Sequence, residues 1–255
     1  MNGLRLIDLN KRFGGVIAAD KVNMEVPAGK ITGLIGPNGA GKTTIVNLVT
    51  GMLSVTSGQI LFGERDLTHT AAHEIAQAGL ARTFQNIRLL PEASITENVM
   101  IGFHRHETSS LLSALLRLPR AARETRETRD RALALIDRFG MADLADFPAG
   151  GLSYGHQRRV EVMRALASDP KLILLDEPVA GMNDVESAEM AKVIQALAAE
   201  GRAVLLIEHD MRFVTGLCDH VYALDGGRLI AEGAAREVLS DPVVIEAYLG
   251  GAVDA

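Results

Sequence analysis

Gly36-Pro37-Asn38-Gly39-Ala40-Gly41-Lys42-Thr43-Thr44 is the stretch that decides the fold. It matches the phosphate-loop pattern Gly-x-x-x-x-Gly-Lys-[Ser/Thr], which lies between a strand and a helix in nucleotide-binding proteins. Residues 30–35 have the composition of a short buried strand, and residues 43–49 have that of a helix. An accidental glycine-rich turn would not need these neighbours. The sequence therefore predicts a site for a nucleoside triphosphate.

Each part of this loop has its own chemical task. The glycines let the backbone curl so that successive N–H groups point at a phosphate chain, in a cradle that side chains would fill. The N-terminus of the following helix adds partial positive charge at the same place. Lys42 supplies a full charge for the β- and γ-phosphates, and the Thr43 hydroxyl is a ligand for Mg²⁺.

The composition is that of a globular α/β protein large enough to carry an inserted subdomain. The chain has 255 residues, 47% of them hydrophobic, and its 26 basic and 32 acidic residues give a net charge of −6. This balance disfavours a nucleic-acid partner. Its one cysteine, Cys218, cannot form an internal disulfide, no apolar signal segment opens the sequence, and the aliphatic runs are too short to cross a bilayer. We therefore expect a cytoplasmic protein.

Polar side chains follow two of the predicted buried strands. Asp176 and Glu177 stand at the end of residues 171–175, and His209 comes directly after residues 203–208. Ligands of open α/β sheets bind at the carboxyl ends of the strands, where adjacent acids are hard to explain as packing. We expect all three side chains to belong to the functional site.

Three weaker signals leave alternatives open. Phe13, beside a glycine turn, is either a ring that stacks on a flat ligand or a core residue. His69 and His73 have the spacing of a zinc pair but lack a third ligand and the glutamate of that motif, so two solvated histidines are favoured. The glycine-rich residues 150–155 open a helix and form a second possible anion site.

Residues 87–155 have a different residue pattern from the rest of the chain. This pattern predicts a helical insertion between two halves of an α/β core. Ser94 and Glu97 form a capping box that starts a helix, and beyond the insertion Asn183 and Glu186 are expected to cap another. Residues 120–138 mix Arg and Glu, a pattern more typical of a solvated helix face than of a binding surface.

Taken in this order, these segments resemble the nucleotide-binding subunits of ABC transporters, and the resemblance covers essentially the whole chain. The matching motifs are Walker A at residues 36–44, the Q-loop at Gln85, the signature at residues 152–157, Walker B at residues 172–177 and the switch histidine at His209. Five such motifs in the right order and spacing are not accidental.

Further details are similar to the branched-chain amino-acid importer ATPases of the LivG type. These details are residues 81–85, Tyr154, residues 180–183, residues 208–211 and the tail at residues 241–250. Relatives that import urea or other amides, and lipopolysaccharide-export ATPases, share much of this pattern. Tyr154 replaces a glycine of the general signature, and Asn183 stands where Asp is common. Both are familiar within the narrower family.

The resemblance implies an α/β fold, the P-loop NTPase fold, with a RecA-like core, an antiparallel β subdomain and an inserted α-helical subdomain. It places the first part of the core at residues 1–86 and the helical subdomain, which ends in the signature loop, at residues 87–155. The second part of the core follows at residues 156–235, and a family extension closes the chain at residues 236–255.

The resemblance also implies ATP hydrolysis, with Glu177 as general base, His209 on the γ-phosphate and Gln85 on the attacking water. Mg²⁺ would be held by Thr43, Gln85 and, through water, Asp176. The residues expected to bind ATP are Phe13, Asn38, Gly39, Ala40, Gly41, Lys42, Thr43 and Thr44. The signature residues, which would act on ATP bound to a second subunit, are Leu152, Ser153, Tyr154, Gly155, His156 and Gln157.

The expected partners follow from the same family. They are a second ATP-binding subunit, either identical or paralogous, transmembrane permease subunits and, indirectly, an extracytoplasmic solute-binding protein, with no nucleic acid. The protein would then lie on the inner face of the cell membrane. Residues 85–97, with the apolar Ile87, Leu89, Leu90 and Pro91, either receive a helix of the permease or pack on their own subdomain.

Three other classes fit less well. A chromosome or DNA-repair ATPase would carry a long coiled coil, and the insertion here has no sustained heptads. A translation-associated ATPase normally has two such domains in one chain. A small-molecule kinase would need neither the loop at residues 152–157 nor His209.

Overall fold

The computed structural model describes residues 3–83, 88–103 and 119–250, with only the backbone at residues 119–121 and 250. The strands are β1 (Leu4–Phe13), β2 (Val16–Val26), β3 (Ile31–Ile35), β4 (Ser57–Phe62), β5 (Arg65–Asp66), β6 (Leu80–Arg82), β7 (Leu172–Asp176), β8 (Ala203–Ile207), β9 (His220–Asp225) and β10 (Arg228–Gly233). The helices are α1 (Lys42–Val49), α2 (Ala72–Ala78), α3 (Ile95–Gly102), α4 (Pro119–Arg138), α5 (Tyr154–Ala167), α6 (Asp184–Ala199), α7 (Met211–Leu217), α8 (Ala235–Ser240) and α9 (Pro242–Gly250).

The chain forms two compact units. The first is drawn from Met1–Arg82, Lys171–Glu177 and Ala191–Ala255, and the second from Thr83–Pro170 and Pro178–Met190. Within the described residues, no helix is long and apolar enough to cross a membrane.

The first unit contains a six-stranded sheet in the order β10-β9-β3-β8-β7-β6, in which every neighbouring pair is parallel except β10 and β9. All residues of β3, β7 and β8 are buried, as expected for parallel strands covered on both faces. The carboxyl ends of these three strands therefore meet at one edge of the sheet. The phosphate loop follows β3 at that edge.

The second sheet of this unit is antiparallel, in the order β2-β1-β4-β5. Polar and apolar side chains alternate along residues 4–9 and 22–26, but β1 and β2 are both longer than these stretches. Pairing continues to Phe13 and Val16, but register shifts after Leu6, Leu9 and Lys11 interrupt the alternation of side chains. Such bulges keep two strands paired while they break the period of two, so the sequence pattern ends before the strand does.

The second unit is helical. Gly102, at the end of α3, lies so close to α5 that a Cβ there would stand 2.1 Å from the Arg164 carbonyl oxygen. The predicted capping box is confirmed, since the Ser94 hydroxyl accepts from the Glu97 N–H (3.1 Å) and the Glu97 carboxylate accepts from the Ser94 N–H (2.8 Å). The buried apolar residues of this unit include Ile95, Val99, Phe103, Ala132, Ile136, Phe139, Met141, Val160 and Met163.

Candidate functional site

The phosphate loop is shaped by two close approaches that only glycine allows. Gly36 has a φ of 149°, and a Cβ there would lie 2.0 Å from the Leu224 carbonyl oxygen. Gly41 has a φ of 105°, and its Cβ would lie 2.6 Å from the Ala18 carbonyl oxygen. Both the backbone angles and the space therefore exclude a side chain.

The loop opens on free space at its centre. A Cβ built at Gly39 meets no described atom within 4 Å, and the neighbouring Asn38 is exposed. Helix α1 begins after Gly41, which has no side chain to cap the first N–H groups of the helix. Uncapped N–H groups at a helix start are donors for an anion. This part of the first unit is thus shaped to receive phosphate.

The side chain of Lys42 contacts the backbone of the phosphate loop. Its Nζ donates to the carbonyl oxygens of Gly36 (2.6 Å) and Pro37 (2.9 Å). Burial lowers the pKa of Lys42, and the negative charges of Glu177 and Asp176 oppose that shift. The ammonium group and the two carboxylates therefore act on one another within a single site.

Asp176, the last residue of β7, pairs with a cation that the sequence analysis missed. Its Oδ2 lies 3.1 Å from Nη2 of Arg82, and the Nη1 of Arg82 donates to Asn47 Oδ1 (2.5 Å). Both charged side chains are largely buried. Because β6 and β7 are neighbours, Arg82 comes from the adjacent strand end. The sequence shows an arginine at a strand end but not which strand lies beside it.

Glu177 and His209 meet at the tips of β7 and β8. The His209 Nδ1 lies 3.6 Å from Glu177 Oε1 and 3.8 Å from Oε2 of the buried Glu208. Glu177 has a φ of 49°, in the left-handed region that a residue with a side chain rarely adopts. A bond from its N–H to the Ile207 carbonyl oxygen (2.9 Å) holds it there. Such strain often marks a functional position.

Phe13 ends the first hairpin strand, and its ring is 47% exposed. The alternative of a core phenylalanine is therefore wrong. The Lys11 Nζ lies 4.9 Å from the ring centroid, and this cation–π contact helps to position the ring. An exposed aromatic at this place has a free face for a flat ligand.

The donor set of the first unit fits a magnesium ion that arrives with a triphosphate. Mg²⁺ is usually held by one or two carboxylates together with substrate phosphates, and Asp176 and the exposed Thr43 hydroxyl provide such donors. No cluster of three His, Cys, Asp or Glu that could hold a metal occurs among the described residues, so His69 and His73 gain no third ligand there. Gln85, the other expected ligand and water contact, lies outside the described residues.

The predicted signature is in the second unit, where it starts helix α5. Ser153 caps the helix, with its hydroxyl accepting from the His156 N–H (3.4 Å) and lying 3.1 Å from His156 Nδ1. Gln157 Nε2 donates to the Leu152 carbonyl oxygen (3.0 Å). Ser153 and Tyr154 are exposed, so this helix start is open to a ligand or a partner.

The two departures from the general family pattern, Tyr154 and Asn183, lie in one unit of the chain. A Cβ at Gly181 would meet Tyr154 Cδ1 at 2.8 Å, so the Tyr154 ring packs directly on the glycine backbone. Asn183 and Glu186 cap helix α6 reciprocally, at 2.9 and 3.0 Å, which confirms the predicted start of that helix. Tyr154 and Asn183 thus belong to one locally packed segment of the second unit.

The chain has the three features that define an ATP-binding cassette. They are a phosphate loop after β3, acidic residues and a histidine at neighbouring strand tips, and a signature helix. A family model described as "ABC transporter" matches residues 19–180, and the chain belongs to that family. A second model, "Branched-chain amino acid ATP-binding cassette transporter", matches residues 228–254. The P-loop fold and the assignment as a transport ATPase of this family are therefore confirmed.

The similar proteins cover almost the whole chain. The high-affinity branched-chain amino acid transport ATP-binding protein LivG of Salmonella typhimurium is 40% identical over 99% of this chain and 97% of its own length. BraF of Pseudomonas aeruginosa, of the same description, is 38% identical over 98% of each chain. The crystal structure of an ATP-binding cassette in its ADP conformation is 36% identical, with a TM-score of 0.86 over 98% of this chain and 99% of that one.

Proposed function

We propose that this chain is the ATP-binding subunit of an ABC importer and hydrolyses ATP to drive uptake of branched-chain or other amino acids. One observation carries the choice of solute: the 40% identity to LivG over nearly the full length. The family model at residues 228–254 supports the same choice. The protein would lie on the cytoplasmic side of the cell membrane, held there by permease subunits.

The phosphate loop supplies the ATP contacts. The N–H groups of residues 38–44 surround the β- and γ-phosphates, and the Lys42 ammonium moves from the Gly36 and Pro37 carbonyls toward their negative charge. The exposed ring of Phe13 stacks on the adenine. Thr43, Gln85 and, through water, Asp176 would hold Mg²⁺, which would offset negative charge on the phosphates.

Glu177 acts as the general base. Its carboxylate is one-quarter exposed and lies beside His209, so it can reach a water while its backbone is fixed at β7. His209, which is two-thirds exposed, hydrogen-bonds the γ-phosphate. Because Glu177 and His209 follow adjacent strands of one sheet, their backbones are held in place, which favours a defined geometry for the attacking water.

The signature residues complete the site of a second subunit. Ser153 and Tyr154 are presented at an exposed helix start, and its N–H dipoles suit a γ-phosphate that the partner holds. Two subunits, identical or paralogous, would then enclose two ATP molecules in a head-to-tail dimer. The division into residues 1–86, 87–155, 156–235 and 236–255 stays a prediction within this scheme.

The permease would dock on the segment that follows the Q-loop. Leu90 is 53% exposed, and the fully buried Asn98 fixes its backbone, accepting from the Leu90 N–H (2.8 Å) and donating to its carbonyl (3.0 Å). A rigidly held, exposed apolar side chain is suited to a protein partner. Leu89 is partly buried, so Leu90 is the better apolar contact.

We expect Leu90→Asp to abolish solute uptake, because a charge on the docking surface disfavours an apolar contact. Pull-down of the permease subunits should fall at least about tenfold, while the purified variant still binds nucleotide. The control is Val243→Asp, which also places a charge at an exposed apolar position, at the start of α9. Wild-type uptake and pull-down in Leu90→Asp would place the docking surface elsewhere.

A further inference from the structure

The C-terminal helix α9 touches the phosphate loop through one hydroxyl group. Val244 of α9 is buried in a cluster with Ile35, the last residue of β3, and the partly buried Tyr248 packs on the same cluster. The Gly36 N–H donates to the Tyr248 hydroxyl oxygen at 2.7 Å. Burial raises the pKa of Tyr248, so the hydroxyl keeps its proton at neutral pH.

Gly36 contacts both Tyr248 and the lysine of the phosphate loop. Its N–H is bonded to Tyr248, and its carbonyl oxygen accepts from Lys42 Nζ (2.6 Å). On its other side the Leu224 carbonyl oxygen leaves no room for a Cβ. These three contacts constrain the position of Gly36, where the loop begins.

We propose that Tyr248 is a positioning residue for the phosphate loop: its hydroxyl group fixes the Gly36 backbone and thereby holds the loop backbone in the geometry that binds nucleotide. Gly36 is buried, so without the hydroxyl its N–H has lost its acceptor. The loop then leaves this conformation for part of the time. Apparent nucleotide affinity is then multiplied by the fraction of chains that remain competent.

Coupling of this kind is reciprocal. If the Tyr248 bond strengthens nucleotide binding by some factor, then bound nucleotide strengthens the attachment of α9 by the same factor. Nucleotide bound in the phosphate loop therefore stabilises the attachment of the C-terminal helix. This helix belongs to the segment matched by the branched-chain family model. Sequence spacing alone gives no sign of this link, since the two residues are 212 positions apart.

The first test compares two Tyr→Phe variants by titration with fluorescent ADP. Tyr248→Phe keeps the ring and should weaken affinity about tenfold, with kcat at saturating ATP changed less than about twofold. Tyr222→Phe is the matched control, because the Tyr222 hydroxyl also accepts from a backbone N–H, that of Glu25 (3.1 Å), but on β2. Its affinity should stay within about twofold of the unmodified chain.

Equal losses of affinity in the two variants, or an unchanged affinity in Tyr248→Phe, would overturn the proposal. Titration of the unmodified chain tests nucleotide binding itself, so a failure there is distinguishable from a failure of Tyr248.

A second test uses hydrogen exchange in the unmodified chain. ADP should slow the exchange of α9 amides by up to the same tenfold, and this slowing should disappear in Tyr248→Phe. Two results would show that the hydroxyl carries no coupling. One is slowing of α9 exchange by ADP that persists in Tyr248→Phe, and the other is α9 exchange in the unmodified chain that ADP does not change.

Discussion

Glu177→Gln is expected to lower the rate of ATP hydrolysis by about 10²- to 10⁴-fold while nucleotide still binds. The amide keeps the shape of the side chain and its place beside His209, but it cannot accept a proton from the attacking water. Phosphate release under saturating ATP measures the rate, and titration with labelled ATP measures the affinity, which should change less than about threefold.

Glu208→Gln is the control for this change. Glu208 also lies near His209, but its carboxylate accepts from the His209 N–H (3.1 Å) and is buried, so solvent reaches it less than it reaches Glu177. Its replacement should reduce hydrolysis less than about tenfold. Near-normal phosphate release in Glu177→Gln, or a larger loss in Glu208→Gln, would contradict the assignment of the base.

Lys42→Ala is expected to weaken ATP binding itself by about 10- to 100-fold, because charge-assisted hydrogen bonds to the phosphates are lost. Lys30→Ala is a matched control in the same unit. Lys30 is exposed and pairs with Asp219 at 2.9 Å on the surface, an interaction that contributes little. If equilibrium titration gave Lys42→Ala and Lys30→Ala the same affinity as the unmodified chain, Lys42 would not be the phosphate ligand.

The local signals of the sequence were reliable because their physics is local. The phosphate loop was predicted from its glycines and Lys42, and the starts of α3 and α6 from capping residues only three positions apart, Ser94 with Glu97 and Asn183 with Glu186. Each of these features depends on neighbours along the chain. A pattern of a few residues therefore contains the whole interaction.

The features that the sequence did not reveal depend on strand order and backbone strain. Arg82 reaches Asp176 because β6 and β7 are adjacent, and Tyr248 reaches Gly36 because α9 packs beside β3. The left-handed backbone of Glu177 is fixed by a bond to β8 and has no signature in residue type. Long-range packing decides all three, and no short pattern encodes it.

The most direct test of the proposed transport function is uptake of labelled leucine into proteoliposomes that contain the co-purified complex and ATP. With this chain unmodified we predict ATP-dependent uptake, and with Glu177→Gln we predict a loss of at least about tenfold. Uptake that proceeds unchanged with Glu177→Gln, or a complex that hydrolyses ATP without taking up any branched-chain amino acid, would contradict it.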